Sequence, residues 1–371
     1  METISLASGA TYFHTPEPAS QAAIAAIQNH KTFYGEVAGT SALREAIAGR
    51  YRHHNQAQVD PENILITPGT KQALYNVLRA ILRPGDEVLV PAPNWFGLHQ
   101  VLETLDARLV LVPTVLSDNF ALRPEKLREL MSARSRLFLF SNPCNPTGRR
   151  YSLEELQNLM EVTATYPELY VLSDEVYDLL AYGERVPSLL ELPDPQGRHI
   201  VVNGFSKSFG MTGWRIGYVV TPAALRQPCR QFQQATYSGV SEFVQEAALV
   251  LMRDYGHLLP PMLKILREHK AIMTQFLAAR GILFFSPDAA YYVFPDLSRY
   301  LREDIPTITQ LAAWLQTHYA LEILPGDLFG APGFARLSFG IEKSRLHEAL
   351  HRLGQALEKL RGKKPAARQQ L

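Results

Sequence analysis

Short apolar runs alternate with amphipathic segments in the middle of the chain, from about residue 63 to residue 220. This alternation predicts strands and helices wound around a mostly parallel sheet, because each parallel strand needs a crossover to return the chain to the same edge. Several runs are almost continuous in Val, Ile and Leu, which is typical of strands covered on both faces. The predicted strands are residues 63–67, 87–90, 108–112, 136–141, 169–173, 199–203 and 215–220.

Helices are predicted between these strands from the spacing of apolar positions and from capping signals. Segments 71–82, 124–131 and 152–165 have this character, and Ser152 and Glu155 have the spacing of a capping box. Each of these helices can cross back over the sheet. This part of the chain therefore has the pattern of an α/β domain.

The pattern changes after residue 241, where a long helical stretch is predicted to break at Pro260 and Pro261. Two short strands and a closing amphipathic helix follow, at residues 291–294, 336–339 and 344–360. We therefore expect a smaller α+β domain beside the large one. The terminal segment GKKPAARQQL is polar and interrupted by proline, so it is expected to fray.

Composition narrows the class of partner. The chain has 371 residues, 46% of them hydrophobic, and a formal net charge of +1 with dispersed basic residues. This charge pattern argues against nucleic acid and anionic membranes and favours a small-molecule partner.

Only two cysteines occur, Cys144 and Cys229, and we interpret them as packing residues in a reducing compartment. No secretory signal and no membrane-length apolar stretch is evident, so a cytoplasmic protein is expected.

The densest chemical signal is NGFSKSFGMTGWRIGY, residues 203–218, in which a loop of small residues after a strand presents Lys207. Arg215 follows at the predicted start of the next strand, and its guanidinium fork suits a phosphate group. Taken alone, the pair also fits a surface lysine and a structural arginine. The whole stretch, however, resembles the cofactor-lysine motif of the class I/II aminotransferase family, whose members are fold-type I enzymes that use pyridoxal 5′-phosphate (PLP).

The resemblance implies a fold-type I PLP-transferase, with a large domain at residues 35–260 and a small domain formed by residues 1–34 and 261–371. It also implies that Lys207 holds PLP as a Schiff base and serves as general acid and base. In VLSDEVYDLL, it assigns Asp174 to the pyridine nitrogen and Tyr177 to the phenolic oxygen. In SNPCNPTG, Asn145 would donate to the same oxygen, whereas Asn142 is interpreted as a turn residue.

The expected phosphate cradle lies in TPGTKQALYNVL, where the backbone amides of Thr70 and Lys71 begin a helix beside Arg215. A strand, a glycine turn and a helix are by themselves weak evidence for anion binding. In PAPNWFG, the resemblance implies that Trp95 stacks on the pyridine ring. In FYGEVAGTS, it implies that Tyr34 reaches the phosphate of a neighbouring subunit, so a homodimer with shared active sites is expected.

The substrates implied by the resemblance are an amino acid and a 2-oxo acid. Arg336 in GFARLSFG would hold the substrate α-carboxylate, with Gly9 of LASGATYF and Asn145 beside it. Tyr291 and Tyr292 are either aromatic walls of the substrate pocket or ordinary core residues. Asp327 either forms a loop turn or favours a cationic substrate. No metal site is predicted.

Two departures from the family pattern affect the expected site. Gly204 stands where many relatives carry the Ser or Thr that contacts the phosphate, so Ser206 is only an uncertain replacement. The chain also begins almost at the loop containing Gly9, so the lid over the site is expected to be shortened or remodelled.

The implied reaction moves an α-amino group to a 2-oxo acid through pyridoxamine phosphate. A β-eliminating lyase and an amino-acid oxidase or hydroxylase are alternatives, because the motifs for the cofactor do not determine the fate of the substrate carbanion. An alternative of another class is a PLP-binding regulatory module fused to a DNA-binding domain. The sequence shows no basic helix-turn-helix segment that would support this class.

Overall fold

The computed structural model describes residues 2–361. The terminal segment 362–371, which was expected to fray, lies outside the described residues. The strands are β1 (Ile4–Ser5), β2 (Ile64–Thr67), β3 (Glu87–Ala92), β4 (Arg108–Pro113), β5 (Ser135–Ser141), β6 (Tyr170–Asp174), β7 (His199–Gly204), β8 (Gly217–Val220), β9 (Tyr292–Val293), β10 (Leu321–Glu322), β11 (Leu324–Pro325) and β12 (Ala335–Ser338). The α-helices are α1 (Glu17–Gln28), α2 (Ser41–Arg50), α3 (Thr70–Ile81), α4 (Gly97–Glu103), α5 (Pro124–Leu130), α6 (Leu153–Thr163), α7 (Ala223–Thr236), α8 (Glu242–Ala279), α9 (Ile308–Tyr319) and α10 (Lys343–Arg361).

The central feature is a seven-stranded sheet with the order β2-β8-β7-β6-β5-β3-β4. Strand β8 runs antiparallel to β2 and β7, and the other neighbouring pairs are parallel. The predicted α/β fold with a mostly parallel sheet of seven strands is therefore confirmed. Each of these strands begins and ends within two residues of its predicted position.

The sheet is covered by helices on both faces, which explains its continuous apolar runs. Along β3, Val88 and Val90 belong to a core that includes residues of α3 and α7, whereas Leu89 belongs to the core on the opposite face. All three side chains are fully buried. Burial of a side chain of this size stabilises a fold by roughly 1.5–3 kcal/mol.

Helix α6 begins as its sequence predicts. The Ser152 hydroxyl accepts a hydrogen bond from the backbone amide of Glu155, and the Glu155 carboxylate accepts one from the amide of Ser152. This reciprocal pair satisfies two amide groups that a helix start leaves without intrahelical partners. The predicted capping box is confirmed.

The C-terminal part contains a three-stranded antiparallel sheet, β11-β12-β9, and includes the first residues of the chain. Strand β1 pairs in parallel with β10, and the backbone amide of Ser338 donates to the carbonyl oxygen of Leu6. These pairings fix the N-terminal segment beside β12. The division into residues 35–260 and residues 1–34 with 261–371 stays a prediction.

The expected helix break at Pro260 and Pro261 is wrong, because α8 continues through both residues. Two prolines leave two carbonyl groups, those of Gly256 and His257, without an amide donor. Both prolines, Gly256 and His257 are exposed, so water can satisfy these carbonyls. The opposite face of α8 packs in the core, with Leu259 and Met262 buried.

Among the described residues, no helix is both long enough and apolar enough to span a bilayer.

Candidate active site

A cleft of about 460 Å³ lies at the carboxyl ends of β5, β6 and β7. Ligands of open α/β sheets bind at this edge, because the loops that follow parallel strands converge there. The N-terminal segment and β12 form the facing wall. The cleft is lined by all of the predicted site residues except Tyr34, namely Gly9, Thr70, Lys71, Trp95, Asn145, Asp174, Tyr177, Lys207, Arg215 and Arg336.

Lys207 projects into the cleft from the loop that follows β7. Its Nζ donates a hydrogen bond to the carbonyl oxygen of Gly9 at 2.7 Å. Burial lowers the pKa of Lys207 to about 8, and the nearby positive charges of Arg336 and Arg215 act in the same direction. About a tenth of this amine is therefore neutral at pH 7 and about half at pH 8, and the neutral form is the one that can act as a nucleophile or base.

The carbonyl oxygen of Gly9 also receives two tyrosine hydroxyls. Tyr291 Oη lies 2.9 Å and Tyr292 Oη 3.2 Å from it. A carbonyl oxygen has two lone pairs, so these donors compete with the lysine. Tyr292 Oη is also 3.0 Å from Tyr177 Oη and can alternate between the two partners. Both tyrosines are fully buried core residues, and Tyr292 also lines the cleft. Their role as aromatic walls of a substrate pocket stays a prediction.

Asp174 is the last residue of β6 and is partly exposed to the cleft. Burial raises the pKa of its carboxyl group to about 6, although a hydrogen bond from the amide of Val176 and the charge of Lys207 oppose this shift. Above this pH, Asp174 presents a carboxylate to the cleft. Such a group can pair with a protonated ring nitrogen.

The start of α3 and Arg215 together have the features of an anion-binding site. Gly69, the residue before the helix, has a φ of +88°, and no side chain caps the amide groups of the first turn. The guanidinium group of Arg215 lies so close to Gly69 that a Cβ atom there would collide with it. Exposed amides and the helix dipole attract anions at such a position.

Arg215 lies just before β8, not within it as the sequence had predicted, and has a φ of +56°. Its guanidinium group donates to the carbonyl oxygen of Thr212 at 2.9 Å and lies 3.5 Å from that of Pro68. It forms no ion pair with any acidic residue between residues 2 and 361. The left-handed backbone turns this side chain toward the start of α3, where its charge is available for an anionic group.

Arg336 is a buried cation on β12, with 4% of its surface exposed. Its Nη1 donates to Asn145 Oδ1 at 3.1 Å, its Nη2 donates to the carbonyl oxygen of Ala7 at 2.7 Å, and its Nε has no partner. The guanidinium lies 4.2 Å from the ring centroid of Tyr292. No carboxylate in the described part of the chain pairs with Arg336. A buried charge without a counter-ion is unfavourable, so this arrangement favours an anionic ligand.

Asn145, Tyr177 and Trp95 complete the cleft. The Oδ1 atom of Asn145 accepts from Arg336, so its amide nitrogen is left to donate to a ligand. Burial and the neighbouring Tyr292 raise the pKa of Tyr177 well above its usual value, so it remains a neutral phenol. Trp95, in the loop after β3, presents a partly exposed ring, and Lys71 Nζ lies 5.4 Å from the ring centroid.

Two other predicted residues lie outside the cleft. Tyr34 is 98% exposed and does not line the cleft of its own chain. Asp327 is exposed, and its Oδ2 accepts hydrogen bonds from the hydroxyl of Thr309 at 2.7 Å and from its amide at 3.3 Å. Because this contact ties Asp327 to the start of α9, the structure favours the turn over recognition of a cationic substrate.

The remaining polar predictions concern packing. Asn142 lies in the bend after β5 and is buried, which agrees with its interpretation as a turn residue. Its side chain donates to the carbonyl oxygen of Pro187 at 2.9 Å and accepts from the amide of Tyr151 at 2.9 Å. Cys144 and Cys229 are both buried free thiols, which agrees with their interpretation as packing residues. Within residues 2–361, no group of three or more His, Cys, Asp or Glu side chains is arranged to hold a metal ion.

Comparison with known proteins connects this site to a family. The family model described as aminotransferase class I and II matches residues 2–353. A bifunctional aspartate aminotransferase and glutamate/aspartate-prephenate aminotransferase from Petunia hybrida is 35% identical over 365 residues, which cover 95% of this chain and 76% of that protein. An aspartate/prephenate aminotransferase from Nitrosomonas europaea is 34% identical, with coverage of 95% and 92%. The structure of aspartate aminotransferase from Thermus thermophilus with maleate has a TM-score of 0.90 at 30% identity, with coverage of 96% and 92%.

Proposed function

This chain belongs to the class I and II aminotransferase family and is an enzyme that transfers amino groups, and we propose that it does so with PLP held on Lys207. The proposed donor is an acidic amino acid, and the acceptor is a 2-oxo acid. The proposal rests on two groups that line the same cleft, the amine of Lys207 and the guanidinium of Arg336, which is buried and has no counter-ion in the described chain. The amine can take up a carbonyl cofactor, and the guanidinium can hold a substrate carboxylate.

The groups around the cleft fit PLP in charge and in order. The amides of Thr70 and Lys71 and the guanidinium of Arg215 would hold the phosphate, while Asp174 would pair with the ring nitrogen. The ring of Trp95 would stack on the cofactor, and Tyr177 and Asn145 would donate to its phenolic oxygen. When bound, PLP supplies an aldehyde that takes up the amino group and a ring that accepts the electrons of the broken Cα–H bond.

The residues of this chain would perform three tasks. Arg336 binds and orients the α-carboxylate of the substrate, with the backbone around Gly9 beside it. The neutral amine of Lys207 removes the proton from the substrate α-carbon and later delivers a proton on the cofactor side. The carboxylate of Asp174, ionised above about pH 6, keeps a proton on the ring nitrogen.

The choice of an acidic substrate follows the names of the relatives rather than the net charge of the cleft. The cleft contains the cationic side chains of Lys71, Arg215 and Arg336 but only one carboxylate, that of Asp174. A phosphate group with a charge of about −2 and one α-carboxylate would together balance these three cations, so the charge of the cleft does not require a second carboxylate. The names of the relatives from Petunia hybrida and Nitrosomonas europaea, which include aspartate, agree with this choice.

A homodimer with shared active sites is the proposed assembly. Tyr34 and its neighbour Phe33 are 98% and 81% exposed, and Ile24 and Ile27 of α1 are about half exposed. Exposed apolar groups of this size are typical of a surface that binds another protein. In a dimer, Tyr34 could reach the phosphate site of the second subunit. The cytoplasmic location expected from the sequence stays a prediction.

The proposal is tested by mixing the PLP-loaded protein with single amino acids in the absence of any 2-oxo acid. Aspartate and glutamate should convert the absorbance of the lysine-bound cofactor to that of its aminated form, whereas lysine and leucine should do so poorly. With Lys207→Ala, none of these amino acids should yield the aminated cofactor. If neutral or cationic amino acids react better than acidic ones, the substrate class is wrong. If no amino acid changes the spectrum, amino transfer through Lys207 is wrong.

A further inference from the structure

Thr70 and Gly204 form a coupled pair in the expected phosphate site. We propose that the hydroxyl group of Thr70 is a ligand of the cofactor phosphate and replaces the hydroxyl that Gly204 cannot provide. This inference rests on the proposed function, since it concerns the phosphate of PLP. It assigns a role to the side chain of Thr70, beyond the backbone amide already discussed.

The two positions compete for one space. A Cβ atom built on Gly204 would lie 3.0 Å from Thr70 Cγ2, a separation shorter than nearly all Cβ contacts in proteins. The next nearest atoms are Gly217 Cα at 3.2 Å and the carbonyl oxygen of Ile216 at 3.4 Å, and both belong to the backbone of the neighbouring segment. A serine or threonine at position 204 therefore needs the space that the methyl group of Thr70 occupies.

The hydroxyl of Thr70 is available for a ligand. Thr70 is the first residue of α3 and lines the cleft, but its hydroxyl makes no hydrogen bond with any group of residues 2–361. The residue that precedes the helix is Gly69, so no side-chain cap occupies the helix start. Because the methyl branch packs on Gly204, the hydroxyl is the branch left for the cleft, which Arg215 also lines.

Substitution of the hydroxyl alone tests this role. Thr70→Val keeps the Cβ branch and the volume, so the contact with Gly204 is preserved. The cofactor-free variant should bind PLP about tenfold more weakly or worse, because a hydrogen bond to a charged group is lost. Its affinity for pyridoxal, which lacks the phosphate, should equal that of the wild type. Thr70→Ser should retain PLP affinity. Binding is measured as dissociation constants from the absorbance of the lysine-bound ligand.

Ser206 provides the matched control, since it also lines the cleft and its hydroxyl is likewise without a partner in the described range. Ser206→Ala should change PLP affinity less than Thr70→Val does. If Ser206→Ala weakens PLP binding and Thr70→Val does not, Ser206 is the ligand and the proposal is wrong. Equal losses for PLP and pyridoxal in Thr70→Val would also overturn it, because a phosphate ligand cannot act on a molecule without phosphate.

An exchange of the two residues tests the steric coupling. Gly204→Ser should lower the melting temperature of the cofactor-free protein and weaken PLP binding, because the new Cβ meets Thr70. In the Thr70→Gly background, the closest of the three contacts is absent, so the same serine should lower the melting temperature less and should restore PLP affinity relative to Thr70→Gly alone. Equal effects of Gly204→Ser in both backgrounds would contradict the coupling. Failure of the proposed function is a separate result, since the wild type would then bind neither PLP nor pyridoxal on Lys207.

Discussion

The carbonyl oxygen of Gly9 lies 2.7 Å from Lys207 Nζ, although the two residues are 198 positions apart in the sequence. The contact joins the N-terminal segment, which is held beside β12 by the pairing of β1 with β10, to the loop that follows β7. The proposed catalytic amine is thus positioned by two separate parts of the chain.

Replacement of Asp174 by Asn should lower amino transfer by at least about 100-fold. The amide has the shape of the carboxyl group but carries no negative charge, so a ring nitrogen beside it would lose its proton. Single-turnover rates with aspartate measure the effect. Glu175→Gln is a control on the next residue, because Glu175 is buried away from the cleft and binds Ser188 and the amide of Leu189. If Asp174→Asn loses stability but keeps its rate, Asp174 is a structural residue only.

The two tyrosines that donate to Gly9 should have different roles. The hydroxyl of Tyr291 donates to the Gly9 carbonyl, so Tyr291→Phe should loosen this wall and raise KM about fivefold, the net effect of one hydrogen bond. Tyr292→Phe should also lower kcat, since Tyr177 loses its hydroxyl partner. Steady-state kinetics separate the two parameters. Tyr300→Phe, a buried tyrosine outside the cleft, should change neither. Identical kinetics for Tyr291→Phe and Tyr292→Phe would contradict the assignment.

The charge of Lys207 should destabilise the cofactor-free protein below about pH 8. Its folded-state pKa is about 8, whereas the ordinary value is 10.5, so between these values the unfolded chain binds more protons than the folded chain. The free energy of unfolding should therefore rise with pH across this window.

Lys207→Met removes this charge and should be more stable than the wild type near neutral pH, by up to about 3 kcal/mol. The advantage should shrink as the pH approaches 10.5, the ordinary pKa of lysine. Urea denaturation of the cofactor-free proteins at several pH values measures this difference. Lys264→Met, at an exposed position of α8, should show no such pH-dependent gain. A constant difference at all pH values would exclude burial of the Lys207 charge as its cause.

Mixed dimers should reveal shared active sites. When subunits carrying Lys207→Ala are combined with subunits carrying Tyr34→Phe, one site of each heterodimer receives both defects and the other receives neither. Activity should rise above that of either variant alone, as measured after refolding the mixture. Arg361→Ala in place of Tyr34→Phe serves as a mixing control. A monomer by light scattering, or no recovery in the mixture, would count against a contribution of Tyr34 to the neighbouring site.

The sheet could be predicted from the sequence because a strand covered on both faces has a continuous apolar centre, as β3 has at residues 88–90 and β7 at residues 200–202. The site residues that follow strands, such as Asp174 and Lys207, could then be placed at one edge. The sequence predicts helix α1 less clearly, because the buried face of this helix consists only of Ala19, Ala23 and Ala26 and gives a weak hydrophobic pattern. Helix α7 contains Pro228, which argues against a helix when read locally.

Other features depend on tertiary context that local patterns do not contain. The continuation of α8 through Pro260 and Pro261 depends on which face of the helix meets water. Likewise, the meeting of Tyr291 with Gly9 joins groups 282 positions apart. No spacing rule relates such residues, because the path of the backbone between them sets their distance. The position of Asp327 near Thr309 is another contact of this kind.

The role of Gly9 would escape an alanine scan. Every amino acid at position 9 supplies the same carbonyl oxygen, and a Cβ atom there would meet only Tyr292 Oη at 3.8 Å and Lys207 Nζ at 3.9 Å, both ordinary contacts. Alanine at this position would therefore leave the acceptor of Lys207 intact. The path of the backbone after β1 determines where this carbonyl oxygen lies. Side-chain substitutions would identify the three donors, Lys207, Tyr291 and Tyr292, but not the acceptor that they share. The acceptor can be tested only by altering the peptide group of Gly9 itself, for example by replacing its amide bond with an ester bond.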